Sequence, residues 1–273
     1  MNDALPKDAS PDSPENGAFH YDNFLGPLFF EPYAIEIAKR IDPSGVSIAL
    51  EIASGTGRVT RHIRERLAAT AKLIASDISE EMLAEAKKKL NHHDIIWQKI
   101  DAQQLPVFDN CIDLVVCCFG YMFVPDKSKA FAEAYRVLKP GGTLLITTWD
   151  KLEHNAASYT SRQIAEKYLK GPLPESYNEA VSMHDDTVIK QFLENAGFSK
   201  IFIEKVAQSS VCTTAKQAAT GFVDGGFVFK EIRQHNPEWI DEIKINLEKE
   251  LSEKFGASPM IAPMSAVISQ AWK

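Results

Sequence analysis

Glu51, Asp77 and Asp101 each stand within or at the end of a short apolar run, and Gly55-Thr56-Gly57 closely follows the first of them. A carboxylate accepts hydrogen bonds from hydroxyl, amino or ammonium groups, and a single one can take both hydroxyls of a ribose diol. Glycines let the backbone turn tightly and approach a ligand, and a helix that follows them offers free N–H groups to an anion. A dinucleotide fingerprint needs small residues at the first, third and sixth positions of Gly-x-Gly-x-x-Gly, which here are Ala53, Gly55 and Arg58. Arginine at the sixth obstructs close helix–strand packing, so a pyrophosphate ligand is disfavoured. The spacing Glu51-x-Ala53-x-Gly55-x-Gly57 suits instead a ligand with a carboxylate, an ammonium and a nucleoside. Glu51 either accepts from the ammonium, directly or through water, or binds N–H groups of the loop itself.

These residues need a scaffold, and alternating strand and helix patterns supply it. Val46 to Ile52, Leu73 to Ser76, Ile95 to Ile100, Ile112 to Cys118 and Thr143 to Thr148 read as five strands, with Ile201 to Val206 and Met264 to Trp272 completing seven. Val46 to Ile52 is nearly continuously apolar, as expected of a strand covered on both faces. After the glycine turn, Val59, Ile63 and Leu67 form one helical stripe, with Arg61, Arg64 and Arg66 largely off it. Ser79 is placed to cap the next helix, which is acidic at its start and basic at its end. A helix from Asp126 stops at Lys139-Pro140-Gly141-Gly142, and one capped by Asp185-Asp186 buries Val188, Phe192 and Leu193 before Gly197. Pro237 to Phe255 is a further helix with Ile240, Ile243, Leu247 and Leu251 on its core face. Repeated units of this kind predict an α/β fold with a right-handed, mostly parallel sheet and helices on both faces. Ligands bind such sheets outside the carboxyl ends of the strands, where the glycine turn, Asp77 and Asp101 all fall.

With those motifs in that order, the sequence resembles the class I S-adenosylmethionine-dependent methyltransferases, in the ubiquinone/menaquinone-biosynthesis-like (type 11) group. Ala49-Leu50-Glu51-Ile52-Ala53-Ser54-Gly55-Thr56-Gly57 is similar to their first motif, with Ala53 in place of the usual first glycine and Ser54 where cysteine is common. Leu138-Lys139-Pro140-Gly141-Gly142 matches the turn before their fifth strand. The resemblance runs from about Tyr21 to the end and implies a Rossmann-like seven-stranded sheet with one antiparallel strand. It implies S-adenosyl-L-methionine as cofactor, leaving as S-adenosyl-L-homocysteine. It also implies that Asp77 holds the ribose hydroxyls with Ile78 against the adenine, and that Asp101 and Ala102 read the adenine edge. Glu51, Ala53, Ser54, Gly55 and Gly57 then cup the amino-acid end, with Tyr21 and Cys118 completing the cofactor set.

Two aromatic stretches bear on the second substrate. Tyr21-Asp22-Asn23-Phe24-Leu25-Gly26-Pro27-Leu28-Phe29-Phe30 is either a lid over the cofactor or an amphipathic helix on the sheet edge. Phe119-Gly120-Tyr121-Met122-Phe123 follows the fourth strand and lacks the Asn/Asp-Pro-Pro-Tyr pattern of enzymes that methylate exocyclic or amide nitrogens. An apolar, aromatic lining suits a small, partly apolar acceptor. An acidic acceptor needs no protein base for in-line displacement; if one is required, Tyr121, His154 and His184 are the candidates.

Composition narrows the classes. The chain has 273 residues, 45% of them hydrophobic, and a net charge of −7. That acidity argues against nucleic acid as a partner. No apolar run reaches the roughly 18 residues of a membrane span. Cys111, Cys117, Cys118 and Cys212 form no Cys-x-x-Cys pair, which predicts reduced thiols in a cytoplasmic protein and no metal site. Residues 1–19, rich in proline, serine and acid, read as a disordered tail. The rest reads as one domain, with a helical lid over about 20–42 and inserts at about 151–184 and 213–260, the first closing over the acceptor. Readings that stay open are a nicotinamide-dependent oxidoreductase and a cofactor-binding scaffold without activity.

Overall fold

A computed structural model describes residues 21–91, 94–169 and 176–273. The tail read at 1–19 and the adjacent His92 and His93 lie outside the described residues. The seven strands form one sheet in the order β3-β2-β1-β4-β5-β7-β6. They are β1 (Ile48–Ile52), β2 (Lys72–Asp77), β3 (Ile96–Lys99), β4 (Ile112–Cys118), β5 (Leu138–Trp149), β6 (Lys200–Cys212) and β7 (Met260–Trp272). β1 to β5 pair in parallel, and β7 runs antiparallel to both β5 and β6. This is the expected α/β architecture, with β1 and β4 meeting at the point where the strand order reverses.

The local reasons are visible in the sequence. β1 and β4 are buried nearly throughout, as strands covered by helices on both faces must be. Ser79 accepts the Met82 N–H at 3.3 Å and starts the helix Glu80–Lys89; Asp126 does the same for Lys127–Val137 through the Lys129 N–H. Gly197, at φ 109, ends the helix Asp186–Ala196 in the left-handed region.

Three expectations are corrected. Arg64 is buried, because its guanidinium turns back onto the carbonyls of Ala71 (2.6 Å), Leu67 (3.3 Å) and Ala68 in the turn that follows the helix Arg58–Arg66. Val188 is 40% exposed while Ile189 and Leu193 are buried, so the apolar stripe of that helix is set one residue on from the expected one. Phe192, half-buried, stacks on Phe131 with ring centroids 5.5 Å apart. The last two strands are longer than read: β6 and β7 pair without a break from Lys200↔Trp272 to Cys212↔Met260. Polar Gln208, Ser209 and Ser210 hide that extension in the sequence, as does Pro263. Proline is tolerated there because β5 pairs with β7 only as far as Trp149↔Ala266, so Pro263 has a strand on one side alone.

Candidate active site

The site grows from the turn after β1. Ala53, Gly55 and Gly57 all take positive φ, at 55°, 54° and 82°. Glycine does this freely; Ala53 does so at a cost of about 1 kcal/mol. Asp77, at the end of β2, anchors the turn: its Oδ2 accepts the Gly55 N–H at 2.8 Å and its Oδ1 the Ser79 N–H at 2.9 Å. Each oxygen retains a second acceptor position, so the carboxylate that shapes the turn can also receive a diol. Because β3, β2 and β1 are neighbours, the glycine turn, Asp77 and Asp101 lie along one edge, at the carboxyl ends of those strands.

Gly120 closes the turn from the β4 side. A Cβ there would fall 2.4 Å from the Ala53 Cβ and 2.7 Å from the Cys117 Sγ. Gly120→Ala is therefore expected to destabilise the protein by about 1–3 kcal/mol through overpacking. Urea unfolding should show a lowered midpoint with an unchanged slope, and an unchanged midpoint would contradict this packing.

Glu51 is buried, with its Oε2 unpaired, and the buried Ser54 Oγ nearby in the chain is unpaired too. Burial pushes the Glu51 carboxyl up to about 8; the Thr60 hydroxyl opposes that rise and the Asp77 charge adds to it. A buried acceptor without a partner costs about 1–3 kcal/mol, which an incoming ammonium would relieve. The residues present therefore fit the amino-acid end of the implied cofactor.

At the other end, Ala102 is buried and Ile78 is 64% exposed, open to a flat apolar group. Asp101 already has a partner within the chain: Gln103 donates to Oδ1 through its backbone N–H (2.8 Å) and Nε2 (3.1 Å), with Nε2 also 3.2 Å from Oδ2. These bonds, backbone first, hold the Asp101 carboxyl below the usual range. An adenine amino group would compete with the Gln103 amide. Cys118 is half-buried at the end of β4, its Sγ 3.7 Å from the Thr147 Oγ1, and burial pushes its thiol well up.

The aromatic N-terminal segment is a π-wound helix, Tyr21–Phe30, followed by the helix Glu31–Arg40. Two acids fasten it to the turn. Buried Asp22 accepts the Thr56 hydroxyl (2.6 Å) and pairs with Lys89 (2.7 Å) and Arg58 (3.2 Å). Glu31 takes Arg58 (2.8 Å), Arg61 (2.6 Å) and His62 (2.8 Å). Sequence reasoning missed this cluster, because its members are far apart in the chain and no local pattern joins them. Burial raises the Tyr21 hydroxyl well above its usual range, with the charges of Asp77 and then Asp22 adding, so Tyr21 lies within electrostatic reach of the turn.

Tyr21, Phe29 and Phe30 form one wall of a cavity of about 210 Å³. Phe119, just past β4, and Trp149, the last residue of β5, stack at 4.0 Å and line it too. Phe222 and Phe227, from the segment between β6 and β7, line it as well. The N-terminal segment thus packs Phe30 on Phe119 and Trp149 while its rings line the cavity. The described part of the first insert, with Leu152, Tyr177 and Val181, also faces this space.

The three candidate bases lie elsewhere. Tyr121 is fully buried against Phe131 (4.7 Å), its hydroxyl without a partner and pushed well up by burial. His154 Nδ1 lies 2.7 Å from the Asp150 Oδ2. Although burial opposes it, bonding to His154 and Lys205 holds the Asp150 carboxyl well below its usual range. His184 Nδ1 meets the Val181 carbonyl at 2.8 Å. None of the three lines the cavity. Among the described residues no cluster of side chains suits a metal ion, and no helix is long and apolar enough to cross a membrane.

Comparison with known proteins gives the family and the fold. Residues 50–146 match a family model described as a methyltransferase domain. The ubiquinone/menaquinone biosynthesis C-methyltransferase UbiE of Idiomarina loihiensis is 35% identical over 182 residues, covering 59% of this chain and 71% of that protein. Its counterpart from Escherichia coli O1:K1 is 33% identical over 178 residues, with the same two coverages. Among solved structures, the Haemonchus contortus phosphoethanolamine N-methyltransferase 2, bound to phosphomonomethylethanolamine and S-adenosylhomocysteine, superposes with a TM-score of 0.59 at 19% identity, over 95% of this chain and 58% of that one. The YcgJ protein of Bacillus subtilis gives 0.58 at 15% identity, over 89% and 98%. At these identities the structures speak for the fold alone.

Proposed function

The chain belongs to the S-adenosylmethionine-dependent methyltransferases of the UbiE-like, class I type, and from that premise we infer that it methylates a small-molecule acceptor held in the aromatic cavity. When bound, S-adenosylmethionine supplies an electrophilic methyl group on sulfur, which an acceptor lone pair takes in line while the carbon–sulfur electron pair stays with the departing thioether. Glu51 and Ser54 receive the ammonium end, and the backbone at Ala53, Gly55 and Gly57 cups it. Asp77 takes the ribose hydroxyls. Asp101, released from Gln103, and the Ala102 N–H read the adenine, with Ile78 on its face. Tyr21 covers the amino-acid end, and Cys118 lies at the end of β4 beside it.

The aromatic walls hold the acceptor in line and exclude water, which can supply most of the rate when the methyl donor is already activated. Tyr21 and Tyr177 are the two titratable hydroxyl-bearing rings on the cavity wall, and both are held away from ionisation by burial, Tyr177 at about 12. With no other base among the described residues on that wall, this lining favours an acceptor acidic enough to ionise itself. Four free cysteines accord with work in the reducing cytoplasm.

The observation that carries this reading is the buried Glu51 carboxyl, its Oε2 unpaired, just before the glycine turn on the same sheet edge as Asp77 and Asp101. Its test is ligand-induced stabilisation. S-adenosylhomocysteine at about 100 times its Kd should stabilise the protein by about 2.7 kcal/mol, and NAD at equal concentration should have no effect. Stabilisation by NAD alone would instead favour an oxidoreductase. Transfer of labelled methyl to an acceptor then separates an enzyme from a scaffold that merely binds.

A further inference from the structure

The cavity is largely apolar, and one helix face supplies much of its polar lining. Ser158, Ser161 and Arg162 stand at i, i+3 and i+4 on the helix Ala156–Tyr168, so they share a side, and all three line the cavity. Ser161 is fully buried, yet its Oγ has no hydrogen-bond partner. A hydroxyl left in that state is a cost unless something entering the cavity satisfies it.

Arg162 is the one charged side chain among the described residues lining the cavity. Its guanidinium is held from two sides, by Glu166 at Nε (2.9 Å) and by the Asn178 Oδ1 at Nη1 (3.0 Å). Those two bonds use two of five N–H donors and fix the plane of the group, which prepares it to bind an anionic oxygen with little further ordering. Asn155, the other polar residue on the wall, is already spent. Its amide nitrogen donates to the carbonyls of Lys151 and Ser265 (both 3.1 Å), and its oxygen accepts the Ser265 N–H at 3.2 Å. The stacked Phe119 and Trp149 and the rings of Phe29 and Phe30 line the same cavity.

We propose that Ser161 and Arg162 are the polar anchor of the acceptor subsite and select a flat, ring-bearing acceptor that carries an anionic oxygen. This rests on the methyltransferase reading above. The ring slides between aromatic walls, where stacked or edge-on contacts add to the burial of apolar area. The oxygen takes the Ser161 hydroxyl and a charge-assisted bond from Arg162. The anchor therefore sets which end of the acceptor is kept away from the methyl group and which is presented to it.

Calorimetric titration of the full chain, saturated with S-adenosylhomocysteine, tests this with 2-naphthoate and its uncharged methyl ester. The native protein should bind the acid about tenfold or more tightly than the ester, the size expected of a charge-assisted contact. Arg162→Met should erase that preference, and Arg162→Lys should keep part of it. Ser161→Ala should weaken both probes about threefold or more, since both carry an oxygen that can accept its hydroxyl. Affinity for S-adenosylhomocysteine should stay within about twofold in every variant, which shows that each has folded. Equal affinity for acid and ester, no binding of either, or a preference that survives Arg162→Met overturns the proposal while leaving the cofactor assignment intact. Failure of the native chain to bind S-adenosylhomocysteine would strike the functional reading itself, and the anchor with it.

Discussion

Replacing Asp77 with Ala should reduce affinity for S-adenosylhomocysteine by about 100-fold or more and lower the melting temperature at the same time. Two hydrogen bonds from a ribose diol to a charged group are worth about 1.5–3 kcal/mol each, which sets the first figure. The second effect follows because the same carboxylate accepts the N–H groups of Gly55 (2.8 Å) and Ser79 (2.9 Å). Ala leaves both donors without their partner and loosens the turn and the cap of the following helix. Asp77→Asn separates the two roles. Its amide retains one acceptor oxygen for the backbone but cannot take both hydroxyls of a diol, so its stability should fall less than its affinity. Isothermal titration beside thermal unfolding reads both quantities, and an Ala variant that binds within about tenfold of native would remove Asp77 from the site.

Glu51→Gln should change stability and binding in opposite directions. The folded chain holds the Glu51 carboxyl at about 8, against 4.5 when free. The folded state therefore binds a proton that the unfolded state gives up, and native stability is lost as pH rises between those values, by about 1.4 kcal/mol per pH unit at most. Below about pH 4.5 both states are protonated and no penalty remains. Gln carries no such proton, so the variant should gain on the native protein from pH 5 to pH 8 and level off above it. In binding, the ammonium of the cofactor should displace the proton. Near pH 7 the native protein should release close to one proton on taking up S-adenosylhomocysteine, and the variant none, with about tenfold or greater loss of affinity. Calorimetry in buffers of different ionisation enthalpy measures that release. Its absence in the native protein would place the ammonium elsewhere.

How far the sequence carries depends on how local each cause is. The β4 boundaries, the Ser79 and Asp126 caps and the Gly197 stop depend on a few neighbouring residues, and each is as expected. Gly120 had no such signal, since its reason is the Ala53 side chain of a different loop. Asp101 was legible as a strand-end carboxylate, whereas its engagement by Gln103 two positions on was not, because glutamine there also reads as ordinary surface. The candidate bases were chosen for lying in loops near the expected pocket. Proximity in the chain does not fix direction, and Tyr121 turns into the core while His154 turns to Asp150. Ser161 and Arg162 could have been sought from helical spacing had the first insert shown a clearer periodicity. It is broken by Asn, Gly and Pro at 171–178, so no face stood out.

The arm formed by Tyr21–Phe30 is fastened in two chemically different ways. On one side Asp22, with Glu31 just after the arm, gathers Arg58, Arg61, Lys89 and the His62 ring; on the other, rings from the arm rest on Phe119 and Trp149. Added salt acts mainly on the more exposed Arg61 pair of the first fastening and little on the buried Asp22 pairs, while cooling weakens the second fastening far more than the first. The doorway beside the glycine turn is therefore clasped by charge on one side and by apolar contact on the other, and chilling loosens the aromatic stack before it loosens the ionic clasp at the turn.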